Sequence, residues 1–259
     1  MTQRTKKFVF FFSFLLIALI SRSQSPEFTG WFTSFNTIHV HGKFGLQTDA
    51  QIKSADQWKA LQLIFLRGGL TLRPSKSTFL GLGYIHANER ETIDSISGYA
   101  LESRIYEEFI FSHILRPFNV LHRFRLEERF IPTPDLVDGK IGSGEHVYST
   151  RLCYLFRGVV PLIRIKEFTR GFYLALQDEV YVNLSHWDHV NGKFFDLNRI
   201  AAGAGYRFSE AVDAEAGYIG QVELDAEGNY GFTNVLQCTL IMRLNKRSDT
   251  KYNPVPGGQ

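Results

Sequence analysis

His122-Arg123-Phe124-Arg125-Leu126-Glu127-Glu128-Arg129-Phe130 decides the fold. Side chains on an extended strand alternate between two faces. Arg123, Arg125, Glu127 and Arg129 therefore share one face and Phe124, Leu126 and Phe130 the other, with Glu128 alone out of place. A soluble β-sandwich would leave the charged face in water. A transmembrane barrel turns it into the lumen and gives the apolar face to lipid.

Neighbouring segments repeat the scheme. Phe172, Leu174, Leu176, Val180 and Val182 oppose Tyr173, Gln177, Glu179 and Asn183, with Asp178 the exception, and Ser149, Arg151 and Arg157 oppose Tyr148, Leu152, Tyr154 and Phe156. Such segments follow one another from residue 43 onward, near 43–53, 58–72, 77–88, 105–116, 119–131, 146–157, 170–183, 193–207, 211–222 and 232–244. They exceed the usual strand length of about 5–6 residues, and one face of several is too charged for a sandwich core. Tight connections (Arg73-Pro74-Ser75-Lys76, Arg116-Pro117-Phe118-Asn119, Ser209-Glu210) alternate with polar stretches over 87–104, 132–145, 185–192 and 223–231. The connection around 158–170 is long on the tight side. Aromatics at Trp31, Tyr84, Phe130, Tyr148, Phe172, Tyr181, Tyr206 and Tyr218 suit interfacial girdles.

These patterns predict an all-β, antiparallel up-and-down transmembrane barrel of about ten strands with a polar, charged lumen. Single-chain bacterial barrels have even strand numbers. The strand-like stretch 31–39 would make eleven, so it is expected either to pair with a further strand, giving twelve, or to lie at the rim or inside. The expected organisation is a signal peptide over 1–23, a periplasmic or rim segment over 24–42, the barrel over 43–244 and a flexible tail over 245–259.

The leading segment sets the compartment. Arg4, Lys6 and Lys7 precede an apolar run over 8–20, and Ser21 and Ser23 occupy the −3 and −1 positions of a cut before Gln24. That is the order of parts in a secretory signal peptide, and the run is shorter than the ~20 residues a spanning helix needs. The chain carries 29 Lys+Arg and 26 Asp+Glu, a formal charge of +3. Four of those basic residues and no acidic ones fall in 1–23, which leaves the remainder near −1 and removes the case for nucleic-acid binding. The expected location is the outer membrane of a Gram-negative-type bacterium. Outer-membrane lipid and lipopolysaccharide would surround the barrel, and the barrel-assembly machinery and periplasmic chaperones would be partners during biogenesis.

The sharpest constellation is lumenal. Arg123, Arg125, Arg129, Arg151 and Arg199 are read as meeting Glu127, Glu179, Glu215 and Gln221 across a narrow interior. Buried charges are costly unless paired, so a structural network filling the lumen is the first reading, and a narrow pore for small anionic solutes the second. A lipid-modifying hydrolase is a third class. Ser112 and His113 point to opposite faces of one strand, whereas Ser185, His186, Asp188 and His189 share a loop and have the residue types for catalysis or metal binding. Neither a G-x-S-x-G elbow nor an H-E-x-x-H helix is present. No catalytic residue, metal site or cofactor is assigned, and the reading leans away from an enzyme. A fourth class is an interaction protein whose stretches 87–104 and 132–145 bind a surface partner.

Gly203, Gly205, Gly217 and Gly220 lie within strands and form no phosphate loop. Gly205-Tyr206 and Gly217-Tyr218 suggest tyrosines packed over glycines in adjacent strands. Cys153 falls on the lumenal face and Cys238 on the apolar one, so both thiols are expected free.

The residues also resemble a known family, the bacterial domain of unknown function 2490. The run His122 to Phe130 is similar to its central signature. In order around it come Trp31, the stretch 102–108, Asp178-Glu179-Val180 with Asn183, Asn198-Arg199, Gly203-Ala204-Gly205-Tyr206, Gly217-Tyr218 with Gln221, and the closing strand 234–244. The resemblance spans nearly the whole chain after the leader; it implies an outer-membrane barrel and carries no reaction. One departure is the end of the last strand, where Arg243-Leu244 stands in place of the terminal aromatic residue of many barrels.

Overall fold

The computed structural model describes residues 27–163 and 168–244. The signal-like segment 1–23 and the tail 245–259 lie outside the described residues. Eleven strands close into one barrel: β1 (Glu27–His41), β2 (Phe44–Ala55), β3 (Ala60–Leu72), β4 (Thr78–Ile93), β5 (Ile96–Leu115), β6 (Phe118–Val137), β7 (Lys140–Pro161), β8 (Gly171–Ser185), β9 (Phe195–Ser209), β10 (Val212–Leu224) and β11 (Tyr230–Leu244). Chain neighbours pair antiparallel all the way round.

The fold class is the one read from strand alternation, but the strand count is not. β1 belongs to the wall. It pairs parallel with β11 from Glu27↔Thr233 to Ile38↔Leu244 and antiparallel with β2. Parity excluded an odd count on the premise that every seam is antiparallel, and one parallel seam removes that premise. The stretch 31–39 is thus neither a rim segment nor half of an undetected hairpin. It also follows that β1 starts at one end of the barrel and β11 finishes at the other.

Connections 42–43, 73–77, 116–117 and 210–211 gather at that second end, the turn end, as do residues 162–163 and 168–170 between β7 and β8. Connections 56–59, 94–95, 138–139, 186–194 and 225–229 gather at the first, the hairpin end. The stretches 87–104 and 132–145 are strand where the sequence suggests loop. β4 and β5 stay paired to Ile93↔Ile96, and β6 and β7 to Val137↔Lys140. Asp94-Ser95 (φ 50° and 68°) and Asp138-Gly139 (φ 50° and 71°) close the two hairpins. Two positive φ values in a two-residue link are the mark of a type I′ turn. β5, β6 and β7 run 20, 20 and 22 residues. At ~3.3 Å per residue that is about 66–73 Å of strand, far more than a ~25 Å apolar band requires even with tilt. Pairing of β5 with β6 stops at Ser103↔Phe130. Beyond it the β6–β7 hairpin leans back on β5, where Leu101 N–H donates to Ser143 Oγ at 3.0 Å.

Outside, the wall is apolar. Leu66, Leu176, Ile200 and Leu236 are exposed around its middle, Phe111, Phe118, Phe156, Phe172 and Phe208 towards the turn end, and Tyr99, Phe130, Tyr148, Trp187 and Tyr230 towards the hairpin end. Trp31 and Tyr181, expected in the girdles, instead point inward and are buried. Of the two polar exceptions, Glu128 is exposed on the outer face, and Asp178 accepts a hydrogen bond there from Asn198 at 2.7 Å.

Candidate functional site

The inward face of the eleven strands forms the candidate site. Alternation sets which residues enter it; register across the wall sets which of them meet. At the hairpin end, the Glu102 carboxylate is gripped by two guanidinium forks: Arg104 donates through Nε and Nη2 at 2.8 Å each, and Arg129 through the same nitrogens at 2.6 and 3.2 Å. Two parallel N–H···O bonds per pair make this the strongest arrangement available to an arginine and a carboxylate. One layer deeper, Glu127 accepts from Arg151 at 2.7 and 3.2 Å and pairs with Arg104 at 3.4 Å and Arg125 at 3.6 Å. Arg151 also reaches Asp196 at 2.7 Å.

The middle of the lumen holds Arg125–Glu108 at 3.1 Å, Arg67–Asp49 at 2.8 Å and the pair Arg123–Glu179. Arg123 is 1% exposed and Glu179 0%. Towards the turn end, Arg157 grips Glu215 at 2.5 Å, and Asp213 is forked twice, by Arg207 at 2.9 and 3.0 Å and by Arg243 at 2.6 and 3.1 Å. Apolar side chains fill the space between these layers. Phe35 packs with Ile241; Phe79, Ile110, Leu121 and Leu155 form a second cluster; Ile85 sits among Leu63, Phe65 and Tyr106. A void of about 10 Å³ beside Arg157, Gln177 and Glu215 has room for roughly one water.

Tyrosines over glycines complete the filling, although not in the pairing read from the sequence. The Tyr173 ring, from β8, lies on Gly205, and Tyr106 covers Gly69 and Gly83; Gly203 and Gly217 meet backbone to backbone. A Cβ at Gly205 would enter the Tyr173 ring. Tyr206 turns outward and packs with Phe172 and Phe208 at centroid distances of 4.7 and 4.9 Å.

All nine residues singled out for the lumen, Arg123, Arg125, Glu127, Arg129, Arg151, Glu179, Arg199, Glu215 and Gln221, lie on this inner face. The structure joins Arg123 to Glu179, Arg151 and Arg125 to Glu127, and Arg199 Nε to Gln221 Oε1 at 2.7 Å. It does not join Arg129 or Glu215 to any of the other eight. Their partners are Glu102 and Arg157. Sequence reasoning missed Asp49, Arg67, Glu102, Arg104, Glu108, Asp196, Arg207, Asp213 and Arg243. The alternation Gln47-Asp49-Gln51-Lys53 against Leu46-Thr48-Ala50-Ile52 signals the first of them; no local signal identifies which arginine meets which carboxylate.

Above the packed layers the lumen opens into a cup of about 390 Å³ at the hairpin end. Trp31, Lys53, Arg104, Arg151, Tyr181 and Arg199 line it, among others. Lys53 Nζ sits 3.8 Å over the Trp31 ring and the Arg199 guanidinium 5.1 Å from the same ring.

The loop cluster after β8 is organised differently. Ser185 Oγ lies 3.2 Å from His186 Nδ1 but donates its hydrogen to Thr150 Oγ1 at 3.0 Å. His186 stacks on His189 at 5.6 Å, and His189 bonds the Tyr148 carbonyl at 2.8 Å. The Ser185 hydrogen is thus directed away from the imidazole that would have to accept it in catalysis. Ser112 donates inward to the Ser77 carbonyl at 3.3 Å, while His113 stacks on His122 at 5.3 Å. Among the described residues no group of three or more His, Cys, Asp and Glu is placed to hold a metal ion. Cys153 is buried, Cys238 is exposed, and both are free thiols.

A family model described as a protein of unknown function (DUF2490) matches residues 28–231, from the start of β1 to the start of β11. No curated protein matches the chain.

Proposed function

The chain belongs to the DUF2490 family of proteins of unknown function, and we propose that it is an outer-membrane barrel that conducts nothing and presents a polar cup at its hairpin end. The carrying observation is the run of arginine–carboxylate pairs and apolar clusters that fills the lumen from Glu102 to Asp213. A pore for small anions needs continuous water. The buried pair Arg123–Glu179 and the cluster around Leu155 occupy that path.

Three features support an outer-membrane location: the apolar outer wall with aromatics towards both ends, strands long enough to span, and a leader with the parts of a signal peptide. In this reading the leader is removed before Gln24, the barrel-assembly machinery and periplasmic chaperones handle the chain in transit, and lipid and lipopolysaccharide surround it afterwards. The turn end faces the periplasm and the long β4–β5 and β6–β7 hairpins project outward.

Cell-surface labelling tests this reading. With Cys238 replaced by Ala, Asp138→Cys in the β6–β7 turn is expected to react with a membrane-impermeant maleimide on intact cells, and Lys43→Cys in the β1–β2 turn only after lysis. The opposite pattern, or recovery of the protein outside the outer-membrane fraction, overturns it. Vesicles carrying the protein are expected to remain impermeant to pentose-sized sugars; swelling in such a sugar would remove the closed lumen.

A further inference from the structure

Most cations around the cup are neutralised by the barrel itself. Arg104, Arg129 and Arg151 are held by Glu102, Glu127 and Asp196, and Arg125 by Glu108 and Glu127. Lys53 and Arg199 differ. Among the described residues neither has a carboxylate oxygen within 4.0 Å. Arg199 donates to Gln221 Oε1 at 2.7 Å and Tyr181 Oη at 2.9 Å, and Lys53 rests on the Trp31 indole at 3.8 Å. Lys53 comes from β2 and Arg199 from β9, on opposite sides of the closing seam, yet both reach the ring of Trp31 on β1.

Cation–π contact contributes about 0.5–2 kcal/mol, too little to replace a counter-charge for two partly desolvated cations. Two nearby carboxylates are not used by the arginine network, Glu89 two strands from Lys53 and Glu223 on the strand next to that of Arg199, and neither comes within 4.0 Å of these two cations. Glu89, on β4, accepts from Gln62 at 3.4 Å, and Glu223, exposed at the rim of β10, accepts from Gln221 at 2.7 Å. The space beside the indole is open, and its ~390 Å³ falls within the 300–1,000 Å³ of small-ligand sites.

We propose that the cup is a binding site for a small carboxylate- or phosphate-bearing solute, whose oxyanion is taken by the Lys53 ammonium and the Arg199 guanidinium beside the Trp31 indole. The Arg199 fork supplies directional donors and Lys53 a point charge, the usual division of labour between these side chains on an oxyanion. Glu89, also in the lining, is a repulsive neighbour for a bound anion. The inference rests on the proposed closed lumen only in that the cup has a floor.

Calorimetric titration of the detergent-solubilised barrel, in low-salt buffer, tests it with inorganic phosphate and citrate as probes and glucose as the neutral control. Saturable binding of at least one anion and none of glucose is expected. Lys53→Met and Arg199→Met should each weaken it about tenfold or more, the loss of one charge-assisted contact. Lys53→Arg should restore most of the affinity, and Glu89→Gln should tighten binding by removing a repulsive neighbour. Heat-modifiable gel migration establishes that each variant is folded. No saturable response to either anion overturns the proposal, as do unchanged affinities in folded Met variants or weaker binding in Glu89→Gln. A barrel that binds no anion yet stays impermeant fails only this inference. One that leaks sugar yet titrates as expected fails only the closed lumen.

Discussion

Neutralising Glu127 and neutralising Asp213 remove one negative charge each from the lumen, yet the structure predicts different costs. Breaking a buried ion pair by removing one partner costs about 3–5 kcal/mol, because an uncompensated charge is left behind. Glu127→Gln leaves no arginine alone. Arg151 keeps Asp196 at 2.7 Å, Arg104 keeps Glu102 at 2.8 Å and Arg125 keeps Glu108 at 3.1 Å. The expected loss is therefore near the lower figure, about 3 kcal/mol. Asp213→Asn leaves two. Among the described residues Arg207 and Arg243 have no other carboxylate; their further bonds are to the Phe168 and Glu210 carbonyls at 2.8 and 3.4 Å. Its loss is expected near the upper figure, about 5 kcal/mol. Equilibrium urea unfolding in phospholipid vesicles, followed by tryptophan fluorescence, measures both. Replacing Arg207, Asp213 and Arg243 together by Met, Leu and Met should recover most of the Asp213→Asn loss, since an apolar set of similar volume avoids the desolvation cost. The reasoning is refuted if Glu127→Gln is the more damaging change, or if both cost less than about 1 kcal/mol.

Two further outcomes follow from the wall itself. Phe32 on β1 stands opposite Cys238 on β11 across the parallel seam, and both face outward. Phe32→Cys is therefore expected to form a disulfide with Cys238 under mild oxidation, within the 4.4–6.8 Å Cα range such a bond needs, whereas a β2–β11 closure would give none. Cys153, buried and 0% exposed, is expected to resist maleimide until the barrel unfolds, and intact-mass analysis of the native protein should show no gain of two hydrogens on reduction.

The strand 119–131 was readable because its two environments are sharply unlike. Arg123, Arg125, Glu127 and Arg129 turn to charge partners, and Phe124, Leu126 and Phe130 turn to the outer wall. β1 was not readable in that way. Thr29, Thr33, Phe35 and Thr37 point inward while Ser34 and Asn36 point outward, so polarity barely differs between its faces, and a parity rule was left to decide against it. The stretches 87–104 and 132–145 read as loops for a related reason. In the proposed membrane placement these hairpins project beyond the apolar band and meet water on both faces, so the alternation that would mark a lipid-facing strand disappears. Only the turn residues Asp138-Gly139 still carried the signal.

The lumenal residues were legible as a set and illegible as pairs. Glu102 meets Arg129 because β5 and β6 align Arg104 with Arg129, and Asp213 meets Arg243 because β10 aligns Val212 with Met242. Register of that kind is fixed by the whole wall and by the hairpin turns, and no single strand encodes it. The inward turn of Trp31 has the same origin. As an aromatic near a strand end it suits a girdle, but the parallel seam with β11 places its ring between Lys53 and Arg199.

Planar-bilayer recording of the purified full-length protein tests the closed lumen most directly. With insertion verified by protease protection of the same preparation, the membrane current is expected to stay at baseline across a range of salts and voltages. A variant in which Arg123, Leu155 and Glu179 are all replaced by Ala should open a path and give current steps. Stable steps from the wild-type protein, larger in anion-selective gradients, would show that the arginines line a passage rather than close one.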